Sequence, residues 1–463
     1  THRLTGPYLY TNRCGKPVDE LWTNLGPEVI NISYTGSRSI IHRVIQIDFS
    51  SISAFLTGFS TYPQPLRLRL RIFTIFFLYK QTHQTVRKGE LSTIMKLVFD
   101  KADLVKSVGI AMKAVSGKTT MPILECILID ASSNVIKFTS NDMELGIETI
   151  VTGMILERGI VALDAKIFSE IVRKLPDNQV TIETDENLVT TITCEKAKFN
   201  IPGQSGEDFS YLPILETSDC VSISQFTLKE LIRQTIFSIA ANENNKLMTG
   251  ELFEIKDNTL RVVSLDGHRI AIRRIELKDS YPDRKVVVPG KTLNEISKIL
   301  SGEMDDQIDI YFSENHIMFK FDDTTVVSRL IDGEYFRIDQ MLSSDYETKV
   351  TINKKEFLSC IDRATLLVKE GDKKPIIIDI QDGAMELQIN SAMGSMKEEI
   401  DINKEGKDIM IGFNPKFLID ALRVIDDEEI SIYLVNPKAP CFIRNEEESY
   451  IYLILPVNFN SVR

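Results

Sequence analysis

A single tryptophan (Trp22) and five histidines stand in 463 residues, so imidazole catalysis and His-rich metal sites have little to draw on. Six cysteines, at 14, 126, 194, 220, 360 and 441, are scattered, with no Cys-x-x-Cys pair. That spacing argues against a disulfide framework or a zinc site and fits small buried hydrophobes in a reducing compartment. The longest apolar run near the start, residues 72–79, is shorter than the ~20 residues of a membrane span. It also lies too far from the N-terminus for a secretory signal, and the protein reads as cytoplasmic. No P-loop, nucleophile elbow, His-Glu-x-x-His or paired-carboxylate motif occurs. The acids are spread over the chain rather than clustered, so neither a metal nor a cofactor is expected, and no enzyme.

Charge is uneven. The chain carries 54 Lys+Arg against 66 Asp+Glu, a formal net charge of −12. Residues 1–94 reverse the balance with 11 basic and 5 acidic residues, which leaves 43 basic and 61 acidic residues for 95–463. The first stretch shows no sustained period of 2 or 3.6, and Arg67-Leu68-Arg69-Leu70-Arg71 is its basic knot. It reads as a leader outside the fold, upstream of a natural start at Met95, rather than as a nucleic-acid arm.

From Met95 on, one amphipathic segment is written three times, at 165–175, 290–300 and 415–425, a shift of 125 residues each time. Three columns carry charge in every copy: Lys166/Lys291/Lys416, Glu170/Glu295/Asp420 and Arg173/Lys298/Arg423. At about 100° per residue these fall on one side of a helix. The columns Phe168/Leu293/Leu418 and Leu175/Leu300/Ile425 fall opposite. Each copy is therefore expected to be a helix with one buried face and one basic face.

A second helix per repeat is marked by Asp100, Thr227 and Asn353, each with an acid three positions on (Asp103, Glu230, Glu356), close to a capping box. Short alternating strands surround these helices, divided by turns such as Asp257-Asn258 and Asp382-Gly383. Each third reads as a strand–helix–three-strand unit written twice. Boundaries near 218–223 and 343–347 give domains 95–219, 220–343 and 344–463, an α+β chain of three tandem copies. Sheets that continue from unit to unit would leave the helices along one side. Their cations, including Lys101, Lys229 and Lys354, would form a basic lining on an acidic body, suited to holding a polyanion.

Several segments, in this order and spacing, resemble the bacterial DNA polymerase III beta subunit family, the replicative sliding clamps. They are Met121-Pro122-Ile123-Leu124, Phe138-Thr139-Ser140-Asn141-Asp142, Ser264-Leu265-Asp266-Gly267-His268-Arg269-Ile270-Ala271, Val287-Val288-Pro289-Gly290-Lys291, Leu330-Ile331-Asp332-Gly333-Glu334-Tyr335 and Leu453-Ile454-Leu455-Pro456-Val457. The resemblance covers nearly all of 95–463 and nothing earlier. It implies three DNA-clamp domains in a head-to-tail homodimeric ring, helices inside, sheets outside, around double-stranded DNA held without sequence preference. It further implies a non-catalytic subunit that tethers the replicative polymerase. A pocket for short apolar motifs of the polymerase, the clamp loader and repair proteins would comprise Met248, Leu265, Gly267, His268, Ile270, Met341, Leu453, Leu455, Pro456 and Val457. DNA contacts would fall to Lys118, Lys166, Arg173, Arg269, Lys291, Lys298, Lys416 and Arg423. The sequence departs from the family pattern at Phe336, where proline is usual, and in running on to Arg463. The alternative is a repeat scaffold that binds peptides without encircling DNA.

Overall fold

The computed structural model describes residues 95–117, 119–215, 220–241, 245–369 and 374–459. The expected leader, 1–94, lies outside the described residues. Among these, six α-helices alternate with antiparallel strands: α1 (Lys101–Ala111), α2 (Ala165–Lys174), α3 (Gln225–Thr235), α4 (Gly290–Ser297), α5 (Lys354–Thr365) and α6 (Pro415–Val424). The three recurrent segments are α2, α4 and α6, and the apolar columns point inward as expected. Phe168, Leu293 and Leu418 are buried, as are Leu175, Leu300 and Ile425. Side chains at the N-caps fix the starts. Asp164 accepts from the Ile167 amide at 2.8 Å and Asn414 from the Lys416 amide at 3.1 Å, which satisfies amides that the helix leaves unpaired.

One start differs from expectation. The cap of α3 is Ser224, which accepts from the Thr227 amide at 3.0 Å, so the helix begins before Thr227. Strand Cys220–Ser224 runs directly into it, and either hydroxyl is a competent cap. The turns come where expected. Strand hydrogen bonding runs unbroken through Gly250–Leu265, antiparallel to Arg269–Pro289, yet the chain reverses at Asp257-Asn258. Arg261 donates to Glu254 at 2.7 Å, a contact that a straight strand would hold about 20 Å apart. Asp257 takes φ 54°, the left-handed step of a tight hairpin turn. Asp382-Gly383 turns likewise, with Gly383 at φ 79°.

Among the described residues, strands join into sheets of thirteen, seven and four. Two pairings cross between repeats at equivalent places. Thr324–Arg329 of the second repeat pairs with Leu145–Val151 of the first. Tyr450–Ile454 of the third pairs with residues 269–273 of the second. Each repeat has its own apolar core with both helices packed on it. In the first, Phe99, Phe138 and Phe168 meet edge to face at 6.0 and 6.1 Å, the preferred arrangement for buried rings. A serine in every repeat, Ser140, Ser264 and Ser391, donates to a carbonyl at the end of the preceding helix segment (Ala111, Thr235 and Leu367). These satisfy helix-end acceptors that would otherwise be buried unpaired. Among the described residues no helix is long and apolar enough to cross a membrane, and no group of three or more His, Cys, Asp or Glu is placed to hold a metal.

Candidate nucleic-acid interface and partner pocket

The charged columns of α2, α4 and α6 are not equivalent in use. Lys166, Lys291 and Lys416 are all exposed. Among the described residues Lys166 and Lys416 have no ion-pair partner, whereas Lys291 pairs with Asp142 of the first repeat. In the next column Arg173 donates to the Ser169 carbonyl at 3.3 Å, Lys298 pairs with Glu295 at 2.7 Å and Arg423 with Asp362 at 3.4 Å. The two ion pairs are worth about 0–1 kcal/mol each and are open to exchange for another anion, and Arg173 has no carboxylate partner among the described residues. Lys118 lies outside the described residues.

Three cations expected in the lining are instead spent on the fold. Lys354 donates to the Ile425 carbonyl at 2.6 Å, Lys229 to the Leu300 carbonyl at 3.3 Å, and Lys101 pairs with Asp177 at 3.1 Å. Each lies on the first helix of a repeat and holds the chain leaving the second, where the helix dipole favours a cation.

Arg269 requires a correction. Expected to touch phosphate, it is 7% exposed. Its guanidinium donates to Asp266 at 3.0 Å, to Asp420 at 2.8 Å and to the Phe237 carbonyl at 2.6 Å. The same group lies 4.3 Å from the Phe417 ring centroid. Burial works against its charge, but the hydrogen bond to Asp420 and the charge of Asp266 outweigh it and raise its pKa above the ordinary value. The donors of a guanidinium form a fixed fork, and here that fork is filled by the protein.

The pocket residues gather at the second junction. Asp266 folds the turn between the two long strands, accepting from the amides of His268 at 3.0 Å and Arg269 at 3.2 Å. Gly267 supplies the left-handed step, φ 88°, which a side chain would strain. Leu265 faces Ile270 across the hairpin, and Ile270 faces Leu453 across the repeat boundary. These three are buried in one apolar cluster, with Met248 half-buried against it. Leu455 donates its amide to the His268 carbonyl at 2.8 Å. The His268 ring is exposed and stacks on Phe417 at 6.2 Å, so it forms a wall. Leu455 is exposed and Pro456 half-buried beside it in sequence.

Two expected members stand apart from this floor. Met341 is 44% exposed, and its neighbour Leu342 packs on the cluster in its place. Val457 donates its amide to the Gly412 carbonyl at 2.8 Å, which turns the tail onto strand Ile409–Phe413. Tyr335, Ile338, Tyr433 and Phe442 also belong to the cluster. Of these only Tyr335 had a signal, its place in the Leu330–Tyr335 motif.

A strand–helix–strand unit written six times, with basic columns on one set of helices and an apolar cluster where the second and third repeats meet, defines the class of DNA clamps. Residues 95–213, 222–336 and 339–458 match the N-terminal, central and C-terminal domains of the DNA polymerase III beta subunit. A beta sliding clamp of Staphylococcus epidermidis is 33% identical over 375 residues, 79% of this chain and 99% of that one. Among solved structures, a DNA polymerase III beta subunit of Eubacterium rectale is 72% identical with a TM-score of 0.77. The DNA polymerase sliding clamp of Bacillus subtilis is 35% identical with a TM-score of 0.76. Both cover 79% of this chain and 100% of their own. The chain belongs to the DNA polymerase III beta subunit family, and so is a sliding clamp, a non-catalytic processivity factor of DNA replication.

Proposed function

We propose that two copies of this chain close head to tail into a ring that encircles duplex DNA in the cytoplasm and slides along it. One observation carries the reading. The pairing that joins the first repeat to the second also joins the second to the third, and the equivalent strands of the outer repeats keep an open edge among the described residues. These are Ala197–Ser205 in the first repeat and Gly394–Asp401, an edge strand of the four-stranded sheet, in the third. Among the described residues, 197–202 pair on one side only, and Phe199 on that strand is 40% exposed. A second copy supplies the missing partner at both ends, a heterologous contact that closes after two chains.

The working domains are 95–219, 220–343 and 344–463. Lys166, Lys416 and the exchangeable Lys291, Lys298, Arg173 and Arg423 face the phosphates, and Lys118 joins them. Each contact is weak and screened by salt, which suits a ring that must move. The pocket of Met248, Leu265, Ile270 and Leu453 takes short apolar motifs of the replicative polymerase, the clamp loader and repair proteins, with Gly267, His268, Leu455 and Pro456 at its edge and Met341 and Val457 further out. The ring is tested by loading labelled protein onto closed circular DNA and then cutting it. Retention on circles with loss after linearisation is expected; equal retention on both, or none on either, overturns it.

A further inference from the structure

The Asp332-Gly333-Glu334 stretch has no role in the reading above, yet it borders a cleft. This cleft of about 220 Å³ lies on the second repeat. It forms because the chain leaving strand Thr324–Arg329 turns back across strand Arg269–Pro289. Ile331 donates to the Val287 carbonyl and Leu330 to the Asn315 carbonyl, both at 2.9 Å. Leu252, Val287 and Tyr335 make an apolar floor, and Glu314, Asp332 and Glu334 stand on the rim. The lining's one cation, Lys285, is 3.8 Å from Glu254. Among the described residues none of the three carboxylates has an ion-pair partner. Gly333 takes φ 134°, and a Cβ there would lie 3.2 Å from the Leu247 side chain, so the wall at this point is bare backbone.

The cleft and the partner pocket share one apolar cluster. Leu252, Val287 and Tyr335 belong to the same apolar cluster as Leu265, Ile270 and Leu453, and Leu247 and Met248 pack on it together. The volume is below the ~300 Å³ at which small-molecule pockets begin, so it suits a side chain of an extended ligand rather than a free metabolite. An apolar floor under unpaired carboxylates fits a long stem with a cationic head.

We infer that this cleft receives a lysine or arginine flanking the apolar motif of a partner peptide, so that the clamp reads a basic flank as well as the motif. This rests on the pocket reading above. The test is fluorescence anisotropy on the intact protein with a labelled Leu-Ser-Leu-Phe peptide and with the same peptide extended by Gly-Arg-Arg or Gly-Glu-Glu at either end. One of the two Arg-Arg peptides binds about three- to tenfold tighter than the parent, a gain of the size exposed ion pairs allow. That gain disappears in the Glu314→Gln/Asp332→Asn/Glu334→Gln variant and at about 0.5 M salt, while the parent peptide binds the variant as it binds the wild type. Equal affinity for basic and acidic extensions, or a gain that survives in the variant, overturns the inference and leaves the pocket standing. Failure of the parent peptide to bind overturns both.

Discussion

Arg269 and Asp420 lie 2.8 Å apart, guanidinium nitrogen to carboxylate oxygen, across the junction of the second and third repeats. Asp420 belongs to the acid column of α6, between Lys416 and Arg423, and Arg269 sits on the turn that borders the pocket. One buried ion pair thus ties the pocket turn to a helix of the basic face. Phe417, one helical turn before Asp420, packs on both Arg269 and His268.

Removing one member of such a pair leaves the other buried and uncompensated, at a cost of about 3–5 kcal/mol. Arg269→Ala is expected to lower the unfolding free energy by an amount of that order, read as a lower urea midpoint. Asp420→Asn, which keeps an acceptor and is less buried, should cost less. A phosphate-contacting arginine would behave the opposite way, with normal stability and a reduced salt dependence of DNA binding. Denaturant titration and a salt series on the same variant separate the two.

Lys166 and Lys416 are the free cations of the repeated column among the described residues. Lys166→Glu with Lys416→Glu should leave the unfolding midpoint nearly unchanged, since exposed substitutions away from packing cost within about 0.5 kcal/mol. DNA retention should fall, and the salt slope should flatten by about one for each phosphate no longer neutralised. Lys291→Glu is expected to weaken stability as well as binding, because it sets a second acid against Asp142, whose side chain is only 5% exposed. Unchanged retention in the double variant would remove these helices from the DNA interface.

The repeat was legible because its signal is periodic. Buried and exposed columns recur 125 residues apart, and no tertiary context is needed to see that Phe168, Leu293 and Leu418 point inward. The use of each cation was not legible. Lys166 and Lys291 share a column, yet only Lys291 meets a carboxylate, one 149 positions away in sequence. Arg269 and Asp420 are 151 positions apart, and a local motif gives no sign that they meet. The Asp257-Asn258 turn was legible because these residues tolerate the left-handed step that Asp257 takes, φ 54°.

Glu251 carries the clearest pH dependence. It is fully buried on strand Gly250–Leu265, and neither carboxylate oxygen has a hydrogen-bond partner among the described residues. Thr235 is placed to help, but its hydroxyl donates to the Leu231 carbonyl at 2.6 Å. Burial pushes the Glu251 pKa up to about 8. Between the ordinary value near ~4.3 and about 8 the folded chain therefore holds a proton that the unfolded chain has released. The stability contribution of this group falls as pH rises through that window, by about 1.4 kcal/mol per unit, and levels off above it. Urea midpoints of wild type and Glu251→Gln from about pH 5 to about pH 9 should diverge, with the glutamine variant the more stable at high pH. Parallel curves would show that the carboxylate is paired in solution.

The last strand continues into a tail that the family pattern lacks, and its seat depends on one glycine. Val457 is bonded to Gly412, and Phe459 lies over the same residue. A Cβ at Gly412 would stand 2.6 Å from the Phe459 ring and 2.9 Å from the Val457 carbonyl. The ring can move aside, but the carbonyl belongs to the backbone that the Gly412 hydrogen bond fixes. Gly412→Ala is therefore expected to lift the tail from strand Ile409–Phe413 at a cost of about 1–3 kcal/mol, the usual range for overpacking. Carboxypeptidase digestion followed by intact mass gives the readout, with trimming past Phe459 faster in the variant than in the wild type. The floor of the pocket should be untouched, because the Leu455–His268 bond and the Ile270–Leu453 pairing lie upstream of the displaced residues. A variant trimmed at the wild-type rate but with weaker peptide binding would place the tail at the pocket rim instead.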